Sequence, residues 1–295
     1  MKRLRIIISF LLICTGLFFC AASPAAAQTG SSVWKISRGG NTIFLAGSIH
    51  ILRETDFPLP AQYDSAFSQS AILVLETDID QMANPEVLQY LMTRMILPVN
   101  STLQSILDPD TYKMLEEACS KYGFSIDTVS KLKPSMVMTV LSVLQMENIG
   151  YSQQGIDQRY LDKAKTENKP VRFLETVQSQ IDALIGMGEG YENDFIRYSL
   201  YDMENTETAL EALLDEWKNG GTSTSEETLA NMKEQWPVIY KTLVTDRNNA
   251  WAPQIKEFLD SGQIYFVVVG LLHLYGTDGL LRQLEDLGCT VEQLR

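Results

Sequence analysis

Two stretches of one pattern, TIFLAGSIH (residues 42–50) and IYFVVVGLLH (residues 264–273), decide the expected fold. Each is an apolar run that ends in G-x-x-H, and together they hold both histidines of the 295-residue chain. A continuous apolar run rich in β-branched residues is typical of a strand buried on both faces of a sheet. The sequence therefore predicts two core strands from distant parts of the chain, each followed by a glycine and a histidine.

Strand-like and helix-like segments alternate outward from these two runs. Residues 32–50 indicate a hairpin around the turn RGGN, residues 71–80 (AILVLETDID) a buried strand, and residues 171–175 (VRFLE) a short strand. Residues 178–245 carry apolar residues at helical spacing and are interrupted by the polar stretch NGGTSTSEET at residues 219–228, which we interpret as a surface loop. We expect an α/β fold whose central sheet is built from the N- and C-terminal parts, with a helical middle region forming a layer or cap.

Residues 1–27 have the pattern of a secretory signal peptide. Three basic residues precede the apolar run Ile6–Cys20, and the small residues of SPAAAQ offer a cleavage site after Ala27. The apolar run is short for a membrane span, which needs roughly 20 residues. Lipidation at Cys20 is disfavoured because two phenylalanines precede it. We expect one α/β domain over residues 28–295, secreted or periplasmic, without a stable membrane anchor after cleavage.

The charge and the cysteines limit the possible partners. Lysine and arginine number 24 against 37 acidic residues, a formal net charge of −13. Such an acidic chain should repel nucleic acid and anionic membrane surfaces, so no nucleic-acid partner is expected. Outside the leader only Cys119 and Cys289 remain, and their spacing matches no zinc motif. One disulfide and two separate buried thiols are both compatible with the sequence.

Three residues that follow apolar strands form the main candidate site: His50, His273 and Glu76, which ends AILVLE. Ligands bind at the carboxyl edge of open α/β sheets, where these side chains should emerge. A buried carboxylate is costly unless it is paired or metal-bound. Two histidines and one carboxylate suit a divalent transition metal such as zinc, manganese, cobalt or iron, with open positions for water. The structural alternatives are hydrogen-bonded core histidines and a glutamate that only makes a salt bridge.

Three further polar residues lie where such a site could use them. Glu175 ends the strand VRFLE, and Arg247 begins the helix that leads into the second histidine strand, so it could clamp a carboxylate or stabilise an oxyanion. Asp157 opens a helix, where a simple role at the helix N-terminus is an alternative. Asp78 is expected to be solvated. The chain has no G-x-S-x-G, H-E-x-x-H, Walker or dinucleotide motif.

The ordered set of motifs resembles the TraB/PrgY, GumN and TIKI family from about residue 33 to 293. The resemblance rests on the following stretches: FLAGSIHIL, LVLETD, GIDQRYLDKAKTENKPVRFLETVQSQ, LVTDRNNAWAPQI and YFVVVGLLHLYGTDGLLRQLEDLG. It implies a fold related to the erythromycin esterase and ChaN-like group. It also implies metal or catalytic positions at His50, Glu76 and His273, and further family positions at Glu175 and Arg247.

The family's animal TIKI members are metal-dependent proteases, and other members are linked to the shutdown of peptide pheromones. The resemblance therefore implies a metal-dependent peptidase with a peptide or protein substrate. The alternative is a non-catalytic protein of the same fold that binds a peptide or a haem-like ligand, because ChaN-like proteins bind haem iron. This chain has the features of a bacterial exported protein, so the substrate of any one member does not transfer to it.

Overall fold

The computed structural model describes residues 30–151 and 153–295. The predicted leader, residues 1–27, lies outside these ranges. Eight strands are described, and six of them form one sheet in the order β6-β4-β7-β2-β1-β8 while β3 and β5 pair separately. The strands are β1 (Val33–Arg38), β2 (Asn41–Ser48), β3 (Ile51–Leu52), β4 (Ile72–Leu75), β5 (Gln153–Gln154), β6 (Val171–Phe173), β7 (Tyr265–Gly270) and β8 (Thr290–Gln293).

The four strands β6, β4, β7 and β2 are parallel, and β7 lies between β4 and β2. Every residue of β7 is buried, as its continuous apolar sequence predicts. Ser48 at the end of β2 is in register with Gly270 at the end of β7, and Leu75 at the end of β4 is paired with Val268. The carboxyl ends of three adjacent strands therefore meet at one edge of the sheet.

Twelve α-helices of four residues or more surround the sheet in the described part of the chain. Four of them begin with proline, and side chains cap two of these: Asn84 caps α2, and Asp108 caps α4. The helices are α1 (Ala61–Gln69), α2 (Pro85–Arg94), α3 (Leu103–Ile106), α4 (Pro109–Lys121), α5 (Pro134–Asn148), α6 (Ile156–Thr166), α7 (Val177–Ile185), α8 (Glu192–Asn219), α9 (Ser223–Gln235), α10 (Pro237–Tyr240), α11 (Asp246–Asp260) and α12 (Leu280–Asp286).

The predicted α/β class is confirmed, and the N- and C-terminal parts share the sheet as expected. Several predicted boundaries are wrong. The second strand of the hairpin ends at Ser48 and not at residue 50, and the strand expected over residues 171–175 ends at Phe173. The strand expected over residues 71–80 ends at Leu75, and a 3₁₀ turn follows at Ile79–Ala83. The loop expected over residues 219–228 is much shorter, because α9 already begins at Ser223. The first turn of α9 is held by Glu216, whose carboxylate accepts a hydrogen bond from the backbone N–H of Ser225 at 3.0 Å.

Aromatic side chains fix the end of β2 beneath the candidate site. The Tyr63 hydroxyl on α1 donates to the carbonyl of Gly47 at 2.6 Å, and Trp217 on α8 donates its indole N–H to the same carbonyl at 3.1 Å. Both side chains are fully buried. The backbone three residues before the first histidine is thus anchored to two helices from different parts of the chain.

Two further sequence questions have structural answers. Cys119 and Cys289 are both buried free thiols, so they do not pair with each other. Burial raises the pKa of the Cys119 thiol to about 11. Within residues 30–151 and 153–295, no helix combines the length and the apolar character that a membrane crossing requires.

Candidate functional site

Three chain segments bring the principal candidates together at the carboxyl edge of the sheet. His50 lies two residues beyond β2, Glu76 directly follows β4, and His273 lies on a 3₁₀ turn directly after β7. A β-carbon placed on Gly270 would lie 3.2 Å from both Glu76 Oε1 and His50 Nε2, and 3.5 Å from His273 Cδ2. His273 Nε2 and Glu76 Oε1 are 3.9 Å apart. The absence of a side chain at Gly270 lets these groups converge.

Glu76 is buried, and every partner that it has in the described structure favours its charged form. Gly270 N–H donates to Oε1 at 2.6 Å, while Arg247 Nη2 at 2.6 Å and Gln180 Nε2 at 3.2 Å donate to Oε2. Burial alone would raise the pKa of this carboxyl, but Arg247, the two histidines and the Gly270 N–H lower it to about 2. Glu76 is therefore a carboxylate at neutral pH.

Arg247, in the first turn of α11, links Glu76 to a second carboxylate. Its guanidinium donates to Glu175 through Nη2 at 2.8 Å and through Nε at 3.2 Å, as well as to Glu76. The guanidinium also lies over the ring of Trp251, 4.5 Å from its centroid, a distance that permits a cation–π contact. One partly buried cation thus serves the buried carboxylate of Glu76 and the partly buried carboxylate of Glu175, so the cluster Glu76–Arg247–Glu175 carries a net negative charge when both acids are ionised.

Glu175 differs from Glu76 in the direction in which its pKa is shifted. Burial raises the pKa of the Glu175 carboxyl above its ordinary value, and the neighbouring charge of Glu76 adds to this rise, although Arg247 opposes it. Two carboxylates that share one cation are driven apart in pKa in this way. Glu175 is consequently the carboxyl of the site that is better suited to take up and release a proton.

His50 is held by the first turn of α6. Its Nδ1 lies 2.9 Å from Asp157 Oδ1, and the same oxygen accepts the Ser48 hydroxyl at 2.6 Å. Burial lowers the pKa of His50, but the Asp157 carboxylate outweighs it, so the pKa is raised overall. Asp157 was predicted as a candidate with a simple helix N-terminal charge as the alternative; its carboxylate reaches a site histidine.

His273 has a neutral acceptor in the corresponding position. Its Nδ1 lies 2.7 Å from Asn248 Oδ1, and Arg247 Nη1 donates to its Nε2 at 3.0 Å. The Trp251 ring packs against the imidazole at 4.6 Å between centroids. Burial and the Arg247 charge lower the pKa of His273 to about 3, although Glu76 opposes them. His273 is therefore a neutral imidazole at neutral pH.

His50, Glu76, Arg247 and His273 line a cavity of ≈ 80 Å³. Much of its remaining lining is aliphatic and comes from α7, α8, the π-helical turn Lys241–Thr245 that precedes Arg247, and the turn that carries His273. Single π-helical turns are frequent at functional sites. The aliphatic residues are Leu184, Leu210, Leu213, Leu243, Val244, Leu271 and Leu272.

The donor atoms suit a divalent metal by their chemistry. Both imidazoles have Nδ1 hydrogen-bonded to a buried oxygen, the usual arrangement around metal-bound histidines. Among the described residues, however, no three His, Cys, Asp or Glu side chains are spaced to hold a metal as they stand. Arg247 explains part of this, because it donates to the Nε2 that His273 would offer to a metal.

Comparison with known proteins agrees with this arrangement of motifs. The sequence profile of the TraB/PrgY/gumN family matches residues 32–293, almost the whole described chain. The chain belongs to the TraB/PrgY/gumN family. It is 27% identical over 254 residues to a protein of Escherichia coli K12 recorded as "Uncharacterized protein YbaP", covering 84% of this chain and 90% of that protein. The protein of the same name from Shigella flexneri is 26% identical over 250 residues, covering 83% and 89%. No solved structure matches the chain significantly.

The structure places five predicted site residues of this family member in one cluster: His50, Glu76, His273, Glu175 and Arg247. Asp78 lies outside this cluster. Asp78 caps the 3₁₀ turn after β4 by accepting the N–H of Asp80 at 3.2 Å. Two residues of the site, Asn248 and Gln180, are not predicted by the sequence patterns. Both lie within quoted motifs, yet amide side chains at helical positions carry no signal that separates a site residue from a surface residue.

Proposed function

We propose that the protein is a metal-dependent hydrolase that acts on peptides, with His50, Glu76 and His273 as the metal ligands. The observation that carries the proposal is their convergence around Gly270, where two anchored imidazoles and an ionised carboxylate share one buried cavity. Peptides are proposed as the substrate class because TIKI members of the family cleave them. Export by the predicted leader, to the periplasm or the medium, belongs to the same proposal.

The residues divide into those that would hold the metal and those that would serve the substrate. A bound zinc, manganese, cobalt or iron ion would supply a Lewis acid and an acidified water. His273 can offer Nε2 only after Arg247 releases it. Arg247 would then remain on Glu76 and Glu175, close to the cavity, where its cation can stabilise a developing negative charge on the substrate. Glu175 is the residue proposed to carry a proton.

The cavity supports a substrate with an uncharged aliphatic group beside the reacting carbonyl. Its wall is made of leucine and valine side chains, and its volume of ≈ 80 Å³ suits one aliphatic side chain. Haem is a poor fit to this shape, because pockets for ligands of that size measure roughly 300–1,000 Å³. The alternative is a peptide-binding protein without catalysis. The Arg247–His273 hydrogen bond favours it, since that bond occupies a proposed metal ligand.

Metal content and turnover test the proposal together. The purified protein is stripped, equilibrated with zinc, manganese, cobalt and iron in turn, and analysed by mass spectrometry beside His50→Ala and His273→Ala. Asp162→Ala is the matched control, because this carboxylate lies on the exposed side of α6. We expect about one metal per chain in the wild type and the control, and none in either histidine variant.

The same preparations are then incubated with a library of short peptides. Metal-dependent cleavage that disappears in both histidine variants supports the hydrolase. Retention of metal by the histidine variants contradicts the ligand assignment. Peptide binding without cleavage under every metal favours the non-catalytic alternative.

A further inference from the structure

Asp157 is a buried carboxylate with one paired and one unpaired oxygen. Its Oδ1 accepts both the Ser48 hydroxyl and His50 Nδ1, but its Oδ2 is buried and has no hydrogen-bond partner among the described residues. A buried carboxylate oxygen without a donor costs free energy. Asp157 is only 5% exposed, so water does not offset that cost in full. A role in folding alone accounts poorly for a charge held in this way.

The backbone is shaped to bring Asp157 to His50. A β-carbon on Gly155 would lie 2.3 Å from the carbonyl carbon and oxygen of His50 and 2.4 Å from the carbonyl oxygen of Ile49. Only glycine permits this approach, which lets Ile156 N–H donate to Ile49 O at 3.1 Å at the start of α6. The first turn of α6 is thereby fixed against the backbone of His50, and Asp157 follows one residue later.

Donor and acceptor rules decide which nitrogen of each histidine carries the hydrogen. An arginine nitrogen can only donate, so His273 Nε2 must accept from Arg247 and its Nδ1 must carry the hydrogen. Asn248 agrees: its Nδ2 donates to the carbonyls of His273 and Asp278, which leaves Oδ1 as the acceptor for Nδ1. In the described part of the chain no arginine donates to a ring nitrogen of His50, so its tautomer depends on Asp157.

We infer that Asp157 is a positioning residue that holds His50 in the tautomer with hydrogen on Nδ1, so that Nε2 presents its lone pair toward Gly270 and Glu76. The functional role of this tautomer rests on the proposed function, because a metal ligand or a base needs the lone pair on Nε2. The tautomer itself can be measured without metal or substrate. Failure of this inference and failure of the proposed function are therefore distinguishable.

Nitrogen NMR of protein labelled with ¹⁵N-histidine makes the measurement, since the chain has only two histidines. Spectra are recorded in alkaline solution, where both rings are neutral, and His50→Ala and His273→Ala assign the signals. We expect both wild-type rings to have hydrogen on Nδ1. In Asp157→Leu, which keeps most of the side-chain volume but has no acceptor, His50 should shift to a mixture of tautomers while His273 stays unchanged.

Ser48→Ala and Asp162→Ala are the controls, because the first removes only the second donor to Asp157 and the second removes an exposed acid of the same helix. Both should keep the wild-type His50 signal. Hydrogen on Nε2 of His50 in the wild type, or an unchanged His50 tautomer in Asp157→Leu, overturns the inference. The wild-type spectrum decides even if Asp157→Leu does not fold.

Metal affinity gives the second readout. Loss of a hydrogen-bond partner of a metal-bound histidine typically weakens metal binding about 10–100-fold. We expect a loss of that size for zinc in folded Asp157→Leu and a much smaller change in Ser48→Ala. Equal zinc affinity in wild type and Asp157→Leu contradicts the positioning role. A wild type that binds no metal contradicts the proposed function and leaves the tautomer result to decide the inference.

Discussion

Gly270 is the residue on which the geometry of the site depends most directly. Its φ of −52° is open to any residue, so alanine would not strain the backbone. The added methyl would lie 3.2 Å from Glu76 Oε1 and His50 Nε2 and push them apart. We expect Gly270→Ala to fold with a similar midpoint of thermal unfolding but to lose metal and to cleave peptides about 100-fold more slowly, as small misplacements of reacting groups do. Wild-type metal content and turnover in this variant would refute the convergence at Gly270.

Arg247 is the residue that makes the buried acids of the site tolerable. Arg247→Met leaves Glu76 and Glu175 without their shared cation, and breaking a buried ion pair typically costs about 3–5 kcal/mol. We expect a loss of that order in the free energy of urea unfolding. Adding Glu175→Gln removes one unpaired charge and should restore part of the loss. If the double variant is as unstable as Arg247→Met, the unpaired charge of Glu175 is not a cause of the loss.

Among the elements, α6 matters to the site through its first turn. Gly155→Ala places a methyl against the backbone of His50, which cannot rotate away, so α6 must shift. We expect a loss of about 1–3 kcal/mol or more in the free energy of urea unfolding, as for other overpacked sites, and a weakened Asp157–His50 hydrogen bond in the histidine NMR spectrum. Gly186→Ala at the end of α7, whose nearest contact would be 3.1 Å, is the control and should be milder. Equal effects in the two variants would contradict the close approach at Gly155.

The elements also show what sequence could and could not predict. Apolar periodicity is local, so β2, β7, α5 and α11 were predictable, and so was the position of His50, Glu76 and His273 after core strands. The end of β4 was not predictable, because no difference in backbone propensity separates Leu75 from Glu76. The two residues differ in their partners: the Glu76 carboxylate accepts hydrogen bonds from the Gly270 N–H and from Arg247. The Asn248–His273 and Asp157–His50 contacts join segments distant in sequence, and residue type alone does not select one such pair among many.

At the scale of the whole molecule, the two G-x-x-H motifs come together because β2 and β7 are neighbours in a parallel sheet. The paired G-x-x-H pattern suggests that the two histidines lie close together, but it does not say which strands are neighbours. The sheet order gives that information. The same order places β4, and with it Glu76, on the other side of β7. One central strand therefore sets the spacing of all three proposed ligands, while the helical middle of the chain contributes the aliphatic wall.

The stability of the whole molecule in acid should depend on its buried, paired carboxylates, of which Asp56 is an example. Asp56 is buried and accepts from the backbone N–H of Arg53 at 2.8 Å and from Lys218 of α8 at 2.9 Å, so it ties the segment after β3 to the helical layer. Burial raises the pKa of Asp56, but Arg53 and Lys218 outweigh it and the pKa is lowered overall. A lowered pKa in the folded state means that Asp56 stabilises the protein fully above its unfolded pKa of about 3.9.

That stabilisation must be lost as the pH falls from about 3.9 through the lower folded-state pKa, because protonation removes the charge that Arg53 and Lys218 bind. The free energy of unfolding of Asp56→Asn should therefore be about 1.5–3 kcal/mol lower than that of the wild type at neutral pH, the usual range for hydrogen bonds to a charged group. The difference in the free energy of urea unfolding should shrink steadily below pH of about 4. A difference that stays constant on acidification would mean that Asp56 stabilises the fold by its shape and neutral hydrogen bonds, and not by the charge that joins the segment after β3 to α8.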